Sequence, residues 1–324
     1  MRHKQSILLP AVRLLCAALA GAALATHAAA ADAGPAVAPL PLVELAPGVH
    51  VHYGIHQPWS AHNAGNVANL GVVIGSRCAA VIDTGGSPSL GEQLRAAVGR
   101  LTRLPVCYVI NTHVHPDHVL GNSAFAGGTT PAQIVGHARL GPSLAARAPY
   151  YLEAFRRESG TALPPETVVY PTRTVEDTLE IDLGERKLLL RAWPTAHTDN
   201  DLTVYDENTG TLFTGDLLFI DHLPVIDGQL RGWLKVIAAL KLLAPKLAVP
   251  GHGRASADLR QAIAPQEAYL GAVLNQTRAA IAAGLPIQRA LEQFDDSVTR
   301  GWQLADAFHR RNLTAAYAEL EWEE

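Results

Sequence analysis

The sequence predicts an α/β fold, and three observations carry that reading: short apolar runs that end in turn residues, amphipathic helical stretches between them, and enough apolar residues to fill a core. The chain has 324 residues, 48% of them hydrophobic and 17% charged, which excludes a disordered or collagen-like polymer. Its length exceeds one typical domain of about 100–200 residues but fits one large α/β domain with an added segment. Lys and Arg number 26 against 30 Asp and Glu, a formal charge of −4. No global basic field points to nucleic acid, and a small-molecule substrate is the expected partner. Fourteen histidines against three cysteines direct attention to where those histidines fall.

The first element is a leader. Met1, Arg2, His3 and Lys4 give a basic start, an apolar run follows over 7–25, and four alanines over 28–31 suit cleavage. Arg13 splits the run below the roughly 20 residues needed to span a bilayer, so residues 1–31 read as a signal peptide with no stable membrane anchor after cleavage. Cys16 lacks the small residue usual before a lipid-modified cysteine. A periplasmic or secreted location is expected, and cleavage makes the mature chain more acidic. Residues 32–47, rich in Pro and Ala, read as an arm or linker, and 48–324 as one domain with C-terminal helices. Cys78 and Cys107 are either a disulfide, which an oxidising compartment permits, or two buried thiols.

Within the domain, 70–74 and 79–82 flank a Gly75-Ser76-Arg77 turn and read as a β-hairpin whose second strand leads into Asp83-Thr84-Gly85-Gly86. A helix is expected over 89–100 and a strand over 106–110, and this strand–helix–strand order implies parallel pairing with a right-handed crossover. The segment 137–174, with Tyr150, Tyr151, Phe155, Arg156 and Arg157, reads as an amphipathic helix with a Pro-rich loop; the alternative is a cap over a cleft, offering aromatic and basic groups to an anionic substrate. Residues 228–233 lead into a helix expected to run through about 243, and helices are expected again beyond 256, broken at Gly284-Leu285-Pro286, with 312–322 closing the chain.

Directly after the strand at 106–110 stands His113-Val114-His115-Pro116-Asp117-His118. In an extended segment residues i and i+2 share a side, so His113 and His115 converge on one ion; the turn at Pro116 aims Asp117 and His118 at a second. Imidazole and carboxylate suit a catalytic zinc site, whereas closed structural zinc sites favour Cys. Further ligand-type residues follow other apolar strands: His197 after 188–193, Asp216 after 211–214, and His252 after 247–250. Small or turn-forming neighbours at each let the backbone approach an ion closely.

Asp83-Thr84-Gly85, the motif of residues 113–118, His197, Gly215-Asp216 and His252, in this order, resemble the metallo-β-lactamase superfamily across nearly the whole mature chain. The resemblance implies an αββα sandwich of two facing mixed sheets, with a metal site at one edge. It implies two Zn²⁺ ions: His113, His115 and His197 on the first, Asp117, His118 and His252 on the second, and Asp216 between them. It also implies a metal-bridging hydroxide as nucleophile, oriented by Asp117. Asp at the bridging position is similar to the glyoxalase II type; lactamases proper commonly carry Cys or Ser there, so β-lactam hydrolysis is an alternative rather than the first reading. That first reading is an exported hydrolase of a small ester, thioester, lactone or amide.

The same ligand set also suits an iron-dependent persulfide dioxygenase on this fold, or a metal-dependent binding protein without turnover. A flavodiiron-type carrier has Glu where His115 stands. Residues 115–122, 216–233 and 312–320 look like exported members associated with quinoprotein and sulfur-oxidation systems. Asp83 reads either as positioning a loop or ligand histidine or as capping the following turn. His137 and His222, near strand ends, are candidates for contact with a ligand or substrate. His50, His52, His56 and His62 read as ordinary exposed histidines with a rim role as the alternative, and His309 as solvated.

Overall fold

The computed structural model describes Met1 and residues 37–323. The expected leader beyond Met1 and the first part of the arm lie outside the described residues. The hairpin and crossover form as expected. β1 (Val43–Ala46), β2 (Val49–His52), β3 (Leu70–Ile74), β4 (Ala79–Ile82), β5 (Val106–Ile110), β6 (Gln133–His137) and β7 (Arg173–Val175) make one sheet in that order. It is antiparallel from β1 to β4 and parallel from β4 to β7. β8 (Thr178–Asp182), β9 (Lys187–Ala192), β10 (Leu202–Asp206), β11 (Thr211–Phe219) and β12 (Leu247–His252) make the second, ordered β12-β11-β10-β9-β8, in which only β11 and β12 run parallel.

Alternation along the strands builds the layers. Ala80, Ile82 and Ile110 face Ile181, Leu190, Val204 and Phe213 of the second sheet, while Val81 and Val109 face outward. α1 (Pro88–Leu101) covers that outer side with Leu90, Leu94, Ala97 and Val98, at helical spacing. Its start is fixed by Ser87, whose hydroxyl accepts from Leu90 N at 3.2 Å, and by Pro88 in the first turn. Fully burying a residue such as Leu94 contributes about 1.5–3 kcal/mol. α2 (Pro116–Val119), α3 (Ser123–Ala126) and α4 (Leu140–Ser159) follow on the first sheet's side. The second sheet's outer face packs on α5 (Leu230–Leu240) and α6 (Leu259–Ala282), and beyond α7 (Ile287–Gln293) α8 (Ala305–Leu320) joins them through Leu313, Ala316 and Leu320. The result is the expected αββα sandwich, with the helical break at 284–286 in place. Among the described residues no helix is long and apolar enough to cross a membrane.

Four expectations are corrected. The arm ends before the expected boundary at 48: Leu40 is buried, Leu40 N donates to Gln93 O on α1, and Val43–Ala46 pair with β2. Because β1 covers it, β2 is an interior strand, so His50 and His52 are buried rather than exposed; His52 contacts Pro41 O at 3.0 Å and Asn66 Oδ1 at 2.6 Å. β11 continues past Thr214 to Phe219, because a register shift at Gly215 bends the strand without ending it. His309 is buried, its Nδ1 2.9 Å from Tyr269 Oη. Of the two readings of the cysteines the bridged one holds: Cys78 and Cys107 form a disulfide with Cα atoms 5.8 Å apart.

Candidate metal centre

The seven predicted donors meet where β4, β5, β11 and β12 end or bend. His113 and His115 lie on the loop leaving β5; Pro116 then starts α2, whose first turn turns Asp117 and His118 to the other side. His197 comes from the loop between β9 and β10, Asp216 from the bend in β11 and His252 from the end of β12. Gly215, at φ +52°, lets β11 bend against the Thr112 side chain, and a Cβ on Gly251 would overlap Asp216 Oδ1.

The donors sort into two groups that could each hold a metal ion: His113, His115, His197 and Asp216, and Asp117, His118 and His252. Within each group the donor atoms lie within 4.8 Å of one another. In the first, His115 Nδ1 and His197 Nε2 are 3.1 Å apart. Asp216 reaches into both: Oδ2 is 3.7 Å from His113 Nε2, 3.5 Å from His197 Nε2 and 3.3 Å from His252 Nε2, and Oδ1 is 3.3 Å from His118 Nε2. Asp117 Oδ2 lies 3.6 Å from His118 Nε2 and 3.5 Å from His252 Nε2.

Every histidine has its other ring nitrogen tied to a fixed partner. His113 Nδ1 contacts Thr112 Oγ1 at 3.1 Å, His115 Nε2 donates to Asp227 Oδ2 at 2.9 Å, and His197 Nδ1 to Val225 O at 2.7 Å. His118 Nδ1 donates to Asp83 Oδ2 at 2.8 Å and His252 Nδ1 to Val67 O at 2.9 Å. Such outer bonds set tautomer and ring orientation and leave the inner nitrogen free for an ion. Among the described residues His113 Nε2, His118 Nε2 and Asp216 Oδ1 are buried with no hydrogen-bond partner. Burial without a partner is costly, and a divalent cation is the partner this donor set suits.

The electrostatics agree. Burial, with the neighbouring histidines, pushes His113 well down, and burial takes His197 down to about 3, so both are neutral imidazoles, the form that binds metal. Burial works against charge on His118 and His252 too, but the surrounding carboxylates, Asp216 foremost, raise both. Burial likewise opposes ionisation of Asp216, yet His252, His118 and His113 hold it well below the carboxylate range.

Asp83 performs the positioning role, at φ +58°: Oδ1 accepts from Thr112 N at 2.8 Å, and Oδ2 from Thr112 Oγ1 at 2.7 Å and from His118. His222 does approach the cluster, its ring 4.8 Å from that of His252, and burial brings it down to about 3. His56, ring centroid 5.6 Å from His222, continues this rim, while His62 is exposed. His137 is not brought to the donors: its Nδ1 accepts from Arg139 N at 2.9 Å, fixing the turn into α4. α4 proves more than an ordinary amphipathic helix, because Arg147 Nη1 donates to Asp227 Oδ2 at 2.5 Å and Phe155 packs on Trp59 at 5.1 Å.

Asp227 escapes a reading of the sequence. Burial opposes its charge, but the bond from His115 and the Arg147 guanidinium hold its carboxyl below the usual range. Its one sequence signal is an Asp-Gly pair between the Asp216 strand and the next helix. Asn111 and Asn122 form a pair that the sequence does not announce: each amide bonds the other, at 3.1 and 2.8 Å, and Thr84 Oγ1 donates to Asn122 Oδ1 at 2.8 Å, pinning the base of the 111–122 loop.

Comparison with known proteins agrees with this geometry. The human acyl-coenzyme A thioesterase MBLAC2 (Homo sapiens) is 30% identical over 190 residues, covering 53% of this chain and 63% of its own. The linear primary-alkylsulfatase of Pseudomonas sp. (strain ATCC 19151) is 25% identical over 208 residues, covering 54% of this chain and 39% of its own. The chain therefore spans less than two thirds of the length of these curated relatives, both hydrolases by name. The solved inverting sec-alkylsulfatase Pisa1 from Pseudomonas sp. superposes with a TM-score of 0.67 at 14% identity, over 88% of this chain and 50% of that one, which shows a shared fold. With the sandwich in place and a family match to the metallo-beta-lactamase superfamily running over residues 64–252, from before Asp83 to the last of the seven donors, the chain belongs to the metallo-β-lactamase superfamily.

Proposed function

We propose that the protein is an exported dinuclear zinc hydrolase of small esters or thioesters. The observation that carries this reading is the convergence of seven donors, five of them imidazoles with tied outer nitrogens, whose inner atoms face one another, three of those atoms buried without a partner. Five imidazoles and two carboxylates without a thiolate fit zinc, or another borderline divalent ion, in a catalytic site. Bound as a pair, such ions supply Lewis acidity and make a water acidic enough to attack at neutral pH.

The chain's own residues do the rest. His115 and Asp117 are the donors that reach the surface, with side chains 15% and 17% exposed against 5% or less for the others, so substrate approaches on their side. The Asp117 carboxylate, on that exposed side, would accept a hydrogen bond from the attacking water and orient its lone pair toward the substrate. A thiolate or activated alkoxide leaves without needing a strong acid, which favours thioesters and esters over plain amides. The thioesterase and alkylsulfatase relatives support hydrolysis of activated esters, carboxylic or sulfuric. Export is supported by the leader pattern at 1–31 and by the Cys78–Cys107 bridge, a bond that persists in oxidising compartments.

The test is metal analysis of the purified protein with a panel of ester, thioester, lactone, β-lactam, alkyl sulfate and phosphodiester substrates. Oxygen consumption with glutathione persulfide tests for iron-dependent dioxygenation. We expect two zinc equivalents, turnover of thioester or ester, and loss of both turnover and one zinc in His115→Ala. Unchanged metal content and hydrolysis in that variant would overturn the reading.

A further inference from the structure

We infer that the C-terminal helix α8 is a positioning element for the first donor group, with Asn312 and Arg311 acting through the segment 224–227. This rests on the reading of His113, His115 and His197 as metal ligands. The outer nitrogens of two of these three, His197 and His115, are held by one short segment, through Val225 O and Asp227 Oδ2. That segment belongs to no strand or helix, so its backbone groups must find partners elsewhere. The buried Asn312 supplies them on both sides of Val225: its Oδ1 accepts from Ile226 N at 2.9 Å and its Nδ2 donates to Pro224 O at 2.7 Å. Only one amide orientation satisfies a donor and an acceptor at once, and Tyr269 Oη, 2.9 Å from Nδ2, helps to fix it. The carbonyl that orients His197 is thus clamped by a single side chain that touches no donor. Arg311 Nη2, 3.3 Å from Asp227 Oδ1, adds a second, exposed tether behind His115.

The outer nitrogens of the second group take no hydrogen bond from α8, whose Phe308 reaches His252 only indirectly, by stacking on His222. His118 and His252 are oriented by Asp83 and Val67, on the first-sheet side of the molecule. Moreover α8, at 305–320, lies beyond residue 252, where the family match ends. The helix therefore adds a hydrogen-bonded prop to the first of the two groups from outside the matched region.

The experiment reads zinc affinity by chelator competition in two backgrounds: His252→Ala, which leaves the first group, and His197→Ala, which leaves the second. Asn312→Ala is expected to weaken binding by up to about 10-fold in the first background, the lower end of the effect of losing a direct outer partner, and to leave the second unchanged. Arg311→Met should act in the same direction with a smaller loss. The melting temperature of each metal-free form serves as control, since a merely structural role would lower it without separating the backgrounds. Equal losses in both, or no loss in either, overturn the inference while the site reading stands; no zinc uptake by the unsubstituted protein overturns both. If Asn312→Ala does not fold, Arg311→Met, at an exposed position, decides by the same criterion.

Discussion

His113, His115 and His197 take their outer hydrogen bonds from Thr112, Asp227 and Val225, whereas His118 and His252 take theirs from Asp83 and Val67. The second set of props is inherited from the first-sheet side of the sandwich: Asp83 follows β4 directly and Val67 precedes β3. The first set depends largely on an irregular segment gripped by α8 and, through Arg147, by α4. Two donor groups sharing one carboxylate are therefore held with different machinery, one mainly by the core and the other largely through α4 and α8. All seven donors sit within the region matched to the family, but the α8 supports of the first group do not.

The largest expected effect tests what the groups share. Among the described residues Asp216 is the carboxylate donor within 4 Å of histidines of both groups, so Asp216→Asn should weaken both zinc equivalents by more than about 100-fold, beyond the range for outer partners. One equivalent retained at full affinity would break the shared role. Next come the two carboxylate props compared side by side. Asp227→Ala should cost about 10–100-fold in the first group's equivalent, and Asp83→Ala a similar factor in the second group's with a smaller loss in the first, passed through Thr112 to His113. Asp83→Ala also orphans the buried Thr112 N–H, worth about 1–3 kcal/mol; urea unfolding of the metal-free proteins should show that loss for Asp83 and a smaller one for Asp227. The smallest effect is expected from Thr112→Val. The Thr112 hydroxyl donates to Asp83 and contacts His113 Nδ1, so the change should cost about 1 kcal/mol and weaken both equivalents slightly. A loss confined to one group would show that the hydroxyl does not link them.

The donors are legible in the sequence because each follows an apolar run, and apolar runs that reach one edge of a sandwich, ending there or bending as β11 does, deliver their next residues to one place. Asp83 is legible for the same reason. What sequence reasoning misses comes from partners far apart in the chain: Asp227 gains its role from His115, Arg147 and Arg311 together, and no local pattern connects those positions. His50 and His52 read as exposed because nothing local shows what covers their strand, and only the pairing of Val43–Ala46 makes it an interior one. His309 reads as solvated through its neighbours Arg310 and Arg311, which face solvent while His309 turns inward to Tyr269. The end of β11 reads too early because Gly215 usually ends a strand, and here it bends one.

The Cys78–Cys107 bridge spans 29 residues of sequence and encloses the whole of α1. On the chain-entropy account a crosslink acts by depriving the unfolded polymer of configurations, and for a loop of this length that is about 3–4 kcal/mol. The advantage is independent of any ion. Reduced protein would be expected to keep the same arrangement of imidazoles and carboxylates yet spend more of its time unravelled, so the redox state in which the chain is synthesised governs how much folded protein there is to load with metal.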